Sequence, residues 1–367
     1  MTRMLASVNG PEEAEIALTG GADIIDMKDP TRGALGAVAL DTIRATVQTV
    51  RKRRPVSAVA GDLPMRPDLI AATVRDIAAT GVDYVKLGIF PDGDAASCIR
   101  ELALIARNTK LVAVFFADAS PDLSLLPLLK QSGFAGAMID TRGKSAGRLL
   151  DHFDVTRLRG FVADCHALNL IAGLAGSLEP PDIPRLLVLA PDLLGFRGAL
   201  CGPGGRTAAL DPERVRAVRG LIPPEGQEPI VREVDYRLLA ARGYFVLPIF
   251  IGTYVSERQA PQDVRFAVTA SVMRTGRAAE DMRDVFSYDL ITDGIRMLVG
   301  AGHVPLVETL AEQIAAMVLG HPRVTKVMVR VQKLQTGSGV VGVEIERTRT
   351  AARAAERMLL AEAAAQS

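Results

Sequence analysis

The sequence predicts an α/β chain in two parts: a (β/α)8 barrel over residues 1–220 and a smaller α+β domain, in ββααββ order, over residues 235–347. Three observations predict it. Short apolar strands alternate with helical patterns eight times in the first part, at the spacing a compact barrel needs. Four of those strands finish in a charged side chain. A proline-rich break then ends the alternation, and beyond it the hydrophobic period falls to two.

The strand candidates of the first part are 4–7, 24–27, 56–59, 84–87, 111–116, 136–139, 170–174 and 193–196. The second is bounded most sharply. Gly20 and Gly21 allow the left-handed turn that stops the preceding helix, and Pro30 cannot continue a ladder. Side chains alternate along a strand, so Asp26 and Lys28 share one face and Ile25 and Met27 the other. With the apolar pair packed on helices, the charged pair points into whatever the sheet encloses. An isolated Asp-x-Lys is ordinarily a structural ion pair. Here repetition argues for more, because the strand Tyr84-Val85 ends in Lys86, the strand after Gly136 in Asp140 and the strand before Gly198 in Arg197. In a parallel barrel these strand ends converge on the face that carries the chemistry. An open doubly wound sheet is the alternative, and the absence of Gly-x-Gly-x-x-Gly after the first strand leaves a dinucleotide cleft without support.

Leu-Ile-Pro-Pro-Glu-Gly-Gln-Glu-Pro at 221–229 reads as a linker, set at 221–234, since prolines and glycine defeat both helix and central strand. Beyond it come the apolar run 244–251 and the alternation of Val264, Phe266, Val268, Ala270 and Val272 with polar or small residues, a strand buried on one face. Two helical segments, 288–299 and 306–319, precede strands 327–333 and 340–345. The Ala-, Arg- and Glu-rich tail 348–367 is expected to form a surface or interface helix without chemistry.

Among the 367 residues, 43 Lys and Arg face 42 Asp and Glu, a net charge of +1, so no global field recruits nucleic acid or an anionic membrane. Small-molecule partners are expected. Met1-Thr2-Arg3 leads directly into strand-like sequence without a signal-like apolar run, and no uncharged run approaches membrane-spanning length, which predicts a cytoplasmic protein. Cys98, Cys165 and Cys201, and the histidines at 152, 166, 303 and 321, are scattered, so no disulfide frame, metal site or cofactor is signalled. The chemistry then falls to Lys, Asp, Glu and Tyr.

A lysine that attacks a carbonyl must first lose its proton, which burial and a second nearby cation promote. Lys28 and Lys86, on two strand ends of one mouth, supply that arrangement, and Asp26 and Asp140 are placed to accept and return protons. Lys144 follows in the loop after Asp140 and reaches the same mouth or is simply a solvated loop lysine. Gly176-Ser177 and Arg197-Gly198 follow the seventh and eighth strands, where bare backbone N–H groups often cradle phosphate. Asp62 either lines the mouth or caps the next helix. In the second part, Glu257, Ser287-Tyr288, Glu308 and Lys333 stand at element ends. Each has a plain reading: a solvated acid, a helix cap, a first-turn dipole partner and an exposed strand terminus.

The motifs Ile24-Ile25-Asp26-Met27-Lys28-Asp29-Pro30 with Gly33-Ala34-Leu35-Gly36, Ser57-Ala58-Val59-Ala60-Gly61-Asp62, Asp83-Tyr84-Val85-Lys86-Leu87-Gly88, Met138-Ile139-Asp140-Thr141 and Gly195-Phe196-Arg197-Gly198-Ala199 resemble the (5-formylfuran-3-yl)methyl phosphate synthases of methanofuran biosynthesis. The resemblance implies an enzyme that condenses two glyceraldehyde 3-phosphates, loses one phosphate and water, and closes a furan. It implies a Schiff base on Lys28, proton movement by Lys86, and a supporting relay of Asp26, Asp140 and Lys144. Gly176, Ser177, Arg197 and Gly198 would bind substrate phosphate.

Gly252-x-x-x-x-Glu257, Ser287-Tyr288-x-x-Ile291, Leu306-Val307-Glu308 and the strand-end Lys333 resemble dihydroneopterin aldolase, a tunnelling-fold family. That resemblance implies a retro-aldol cleavage of dihydroneopterin in which Glu308 anchors the pterin edge, Tyr288 and Lys333 handle protons and Glu257 stands nearby. It needs neither metal nor Schiff base. It also implies sheets closed into a ring, hence a homo-oligomer built through the second domain with sites shared between chains. Together the two resemblances imply a bifunctional enzyme serving methanofuran and tetrahydromethanopterin synthesis. The alternative is a catalytic barrel with a second domain that only assembles it.

Overall fold

A computed structural model describes residues 1–91, 93–143, 147–222, 233–274, 285–336 and 339–349. Strands β1 (Arg3–Val8), β2 (Ile24–Met27), β3 (Val56–Val59), β4 (Tyr84–Gly88), β5 (Lys110–Phe116), β6 (Gly136–Asp140), β7 (Ile171–Leu174) and β8 (Leu193–Phe196) close into a barrel in sequential order, with β8 pairing back onto β1. Every pairing is parallel. Parallel strands need helical crossovers that cover their outer face, which is why these segments are short and almost wholly apolar. Those crossovers carry their own signals. The helix Pro67–Ala78 starts on a proline and buries Ile70, Ala71, Val74 and Ile77 at helical spacing. Asp154 caps Val155–Ala167 through the Arg157 N–H at 2.8 Å, and Asp211 caps Pro212–Gly220 through Glu213 at 2.8 Å.

At the N-terminal ends of the strands one device recurs. The Asp23 N–H donates to the Met4 carbonyl at 3.0 Å while its carboxylate accepts from the Met4 N–H at 2.9 Å. Asp83 does the same to Val56, at 2.8 Å both ways, and Asp192 to Ala172, again at 2.8 Å both ways. Each latch joins an odd-numbered strand to the even-numbered one that follows it.

The chain divides into two compact units, Met1–Glu225 and Gly226–Ser367. In the second, β9 (Glu233–Ile249), β10 (Gln262–Arg274), β11 (Val324–Thr336) and β12 (Gly339–Thr348) form an antiparallel sheet of order β12-β11-β10-β9. The helices Tyr288–Gly300 and Val307–Gly320 lie between β10 and β11 in the chain, giving the ββααββ order. Val264, Phe266, Val268, Ala270 and Val272 on β10 are buried in one core with Ile291 and Ile295 of the first helix and Leu310, Ile314 and Val318 of the second. Burial of each of the valine, leucine, isoleucine and phenylalanine side chains there is worth roughly 1.5–3 kcal/mol.

Two boundaries differ from expectation. β9 begins at Glu233, inside the expected linker 221–234, because its first residues pair with Met273 and Arg274 at the far end of β10. β12 runs to Thr348, the first residue of the expected helical tail, because Arg347 and Thr348 pair with Val327 and Lys326. The remainder of that linker, 223–232, and of the tail, 350–367, lies outside the described residues. Among the described residues no helix is long and apolar enough to cross a membrane.

Candidate active site

The C-terminal ends of the barrel strands surround a cavity of about 310 Å³, lined by Asp26, Lys28, Lys86 and Asp140 among others. Register sets its floor. Ser7 on β1 and Ser57 on β3 flank Asp26 on β2, so the three side chains stand at one level. The Ser57 hydroxyl donates to Asp26 Oδ1 at 2.6 Å and the Ser7 hydroxyl to Oδ2 at 3.1 Å. Lys86 Nζ, from β4, lies 2.7 Å from the same Oδ2. Asp26 is therefore ringed by donors at 1% exposure, a setting in which a carboxylate survives without water.

Lys28 does not pair with Asp26 of its own strand. It crosses the cavity to Asp140 Oδ2 on β6, at 3.1 Å, and Asp140 Oδ1 is held by the Thr141 N–H at 2.7 Å. Two buried ion pairs thus interlock in one cavity, Lys28–Asp140 and Lys86–Asp26. Burial pushes the Lys86 pKa down; Asp26 opposes that push and Lys28, a second cation, adds to it. The arrangement makes Lys86 a side chain that gives up its proton more readily than a surface lysine, next to a second amine that is a candidate nucleophile.

The phosphate-cradling expectation needs a correction. Gly176 and Ser177 do line the cavity, with φ of 118° and 49°. Among the described residues their backbone N–H groups donate to no protein acceptor. A Cβ on Gly176 would lie 2.9 Å from the Thr141 methyl, so only glycine fits both the turn and the space. Gly198 also lines the cavity. Arg197, in contrast, spends all five N–H groups on the protein: Nε on the Arg206 carbonyl, Nη1 on the Ser7 carbonyl and Glu13, Nη2 on Glu13 and the Ala208 carbonyl. Its guanidinium has nothing left for a ligand.

Asp62 neither lines the cavity nor caps a helix. Its carboxylate accepts from the Ala34 and Leu35 N–H groups at 3.1 and 3.0 Å and so fixes the loop after β2, whose Leu35 lines the cavity. Asp118 plays the same part for the loop after β6, accepting from Arg142 at 2.7 Å and Gly143 at 2.6 Å. Burial opposes ionisation of Asp118, but those two N–H groups hold its carboxyl below the usual range. Lys144, next in that loop, lies outside the described residues.

In the second unit, Glu257 sits in the short helix Val255–Gln259 and Lys333 on β11. The two form an ion pair, and Glu257 also accepts from Gln262 Nε2 at 3.1 Å and from the Tyr254 N–H at 3.0 Å. Lys333, then the Tyr254 N–H and Gln262, hold the Glu257 carboxyl down to about 2. A Cβ on Gly252 would overlap the Glu257 carboxylate, and Gly252 has φ of 135°, so glycine is what lets the acid fold back over this turn. Neither side chain is the freely solvated group the plain readings expected, since only 14% of Lys333 and 18% of Glu257 is exposed.

The Gly252 N–H donates to the Val304 carbonyl at 3.0 Å, and a His303 ring nitrogen lies 2.8 Å from the Gly252 carbonyl. This stitches the segment leading to Glu308 onto the turn leading to Glu257. Ser287 caps its helix through the Asp289 N–H at 3.2 Å. Tyr288 is 60% exposed and Glu308, in the first turn of Val307–Gly320, is exposed too. Neither makes a hydrogen bond or ion pair with Glu257 or Lys333 in the single chain.

Sequence reasoning missed Ser7, Ser57, Glu13, Arg206 and Gln262. The first two stand beside Asp26 only through the parallel register of the folded sheet, which no local sequence pattern shows.

Residues 4–219 match the family model described as 4-HFC-P synthase, and residues 245–346 match FolB, dihydroneopterin aldolase. A candidate (5-formylfuran-3-yl)methyl phosphate synthase of Methylorubrum extorquens is 48% identical over 58% of this chain and 88% of its own length. The (5-formylfuran-3-yl)methyl phosphate synthase of Methanopyrus kandleri is 37% identical over 56% of this chain and 91% of its own. A crystal structure of dihydroneopterin aldolase from Burkholderia thailendensis, bound to guanine, is 30% identical over 31% of this chain and 90% of its own, with a TM-score of 0.27.

Proposed function

The chain belongs to the 4-HFC-P synthase family and carries a FolB-like second domain, and from that premise we propose that it is a bifunctional cofactor-biosynthesis enzyme. Its barrel joins two glyceraldehyde 3-phosphates into (5-formylfuran-3-yl)methyl phosphate, a methanofuran precursor. Its second domain cleaves dihydroneopterin to 6-hydroxymethyldihydropterin and glycolaldehyde for a tetrahydromethanopterin- or folate-type carrier. The observation that carries the first half is the interlocked pair of buried ion pairs, Lys28–Asp140 and Lys86–Asp26, around one cavity.

In this reading the neutral Lys28 amine adds to the aldehyde carbon, Asp140 carries its two protons in turn to the carbonyl oxygen, which leaves as water, and the resulting imine takes up one proton from solvent. Protonated imine then acidifies the neighbouring C–H. Lys86, poised by burial to lose its proton, removes that hydrogen, while Asp26 keeps the ammonium it becomes in place. Lys144 completes the relay. In the second domain the Glu257–Lys333 pair supports a proton-transfer role for Lys333, with Tyr288 as its counterpart and Glu308 on the pterin edge. The exposure of Tyr288 and Glu308 favours completion of that site by another chain of a homo-oligomer. The domains so assigned are 1–220 and 235–347, in a cytoplasmic protein.

Incubation with glyceraldehyde 3-phosphate and borohydride should fix mass on the peptide containing Lys28. An unmodified peptide under conditions where furan product accumulates overturns the imine. Incubation with dihydroneopterin should release glycolaldehyde; its absence from the correctly folded, assembled protein leaves the second domain as an assembly module.

A further inference from the structure

One buried ion pair at the barrel mouth takes no part in this chemistry. Glu13, on the helix Pro11–Thr19, is 5% exposed, and its carboxylate takes both terminal nitrogens of Arg197 together with the Asn9 N–H. A bidentate, fully satisfied guanidinium is a directional fastening, costly to break where water is excluded. Three carbonyls hang on it. One is that of Ser7, whose hydroxyl holds Asp26. The other two, of Arg206 and Ala208, belong to the loop that follows β8.

That loop contains Gly202, Gly204 and Gly205 and has little stiffness of its own. Pinning the carbonyls on either side of Thr207 sets the direction of the Arg206 side chain, which lines the cavity. Arg206 is half-buried, and among the described residues its guanidinium has no hydrogen-bond or ion-pair partner. The same cavity carries the uncommitted Gly176 and Ser177 N–H groups. A half-buried cation that shares a cavity with N–H groups lacking an acceptor among the described residues is a receptor for an anion. Burial pushes the Arg206 pKa down, with Asp140 opposing, which an arriving anion would relieve.

We propose that Arg206 grips the phosphate of the aldehyde substrate, and that the Glu13–Arg197 pair is the positioning device that aims it. The proposal rests on the reading of this cavity as the site of a phosphorylated aldehyde. Its test avoids the imine. Titrating the full chain with glycerol 3-phosphate in a calorimeter, Arg206→Ala should weaken binding about 10- to 100-fold, the range of a lost charge-assisted hydrogen bond, and Arg206→Lys should recover part of it. Glu13→Gln should weaken binding several-fold and raise KM for glyceraldehyde 3-phosphate more than it lowers kcat. A merely structural Glu13 would lower the thermal midpoint and leave the affinity of the folded fraction intact.

Wild-type affinity in Arg206→Ala, or no binding of glycerol 3-phosphate by the wild-type chain, overturns the grip. Wild-type affinity in folded Glu13→Gln overturns the positioning role. If Glu13→Gln does not fold, the two Arg206 variants, which disturb no buried pair, still decide the grip, and Glu13→Asp decides the aiming by the same titration. Failure of the Schiff-base reading shows separately, as a Lys28 peptide that borohydride leaves unmodified.

Discussion

The two candidate sites differ in how much of themselves one chain supplies. At the barrel mouth, Asp26, Lys28, Lys86 and Asp140 are all buried, from 1% to 8% exposed, and each has its partner within the same chain. In the second unit only Glu257 and Lys333 meet, while Tyr288 and Glu308 face outward. The cause is topological. A closed barrel has no edge strands, so its strand ends form a complete rim. A four-stranded sheet keeps two edges, β9 and β12, and β12 exposes Val340 and Val341. The first architecture finishes its constellation by folding; the second leaves Tyr288 and Glu308 outward and two sheet edges open.

The hardest test of this contrast is Lys28→Arg. A guanidinium keeps the charge but is not a nucleophile, so furan formation should drop on the order of 10⁴-fold or more while dihydroneopterin cleavage is untouched. Parallel loss of both activities in a well-folded variant breaks the independence of the sites. Next in size, variants altered singly at Tyr288 and Glu308 should each lose aldolase activity by about 10² to 10⁴-fold and regain part of it when mixed and reassembled. A fully active monomer in sedimentation refutes the shared site.

A smaller effect sharpens the barrel side. Furan formation should rise with pH along a limb lying below the ordinary lysine range, because burial and Lys28 favour the neutral form of Lys86. Asp26→Asn removes the largest attraction that holds the proton on, with Asp140 the smaller one, so the limb should move to still lower pH; movement the other way contradicts the assignment. The smallest effect concerns Glu257. Its folded pKa of about 2 lies below the ordinary 4.5, so its contribution to stability is complete above pH 4.5 and lost as pH falls through about 2. The difference in thermal midpoint between wild type and Glu257→Gln should therefore be flat above pH 5 and shrink in acid.

The eight barrel strands were legible because a strand buried on both faces and bounded by glycine or proline leaves a short apolar run that little else produces. The charges at their ends were legible for the same reason, since a lysine or aspartate in such a run stands out. Ser7 and Ser57 were not, because serine in a strand is unremarkable until register sets it beside an acid. Arg197 misled reasoning from position, because its main partner Glu13 lies 184 residues away and no local pattern shows that all five of its donors are taken. Lys28 and Asp26 share a cavity as alternation required, but which lysine meets which acid is fixed by the barrel's curvature and not by sequence.

The three aspartate latches at the opposite end of the barrel divide it in a way the mouth does not show. They clip β1 to β2, β3 to β4 and β7 to β8, while Ala135, just before β6, offers no carboxylate, only its own N–H to the Leu111 carbonyl. The barrel is thus a row of two-strand hoops, three of them clasped, instead of eight equal staves. Re-cutting the chain between hoops, as in the turn joining the helix Leu40–Val50 to β3, leaves every clasp closed within continuous polypeptide. Re-cutting inside a clasped hoop makes its clasp an end-to-end meeting of distant chain, so the permutable seams of this barrel fall between hoops and within the unclasped β5–β6 pair.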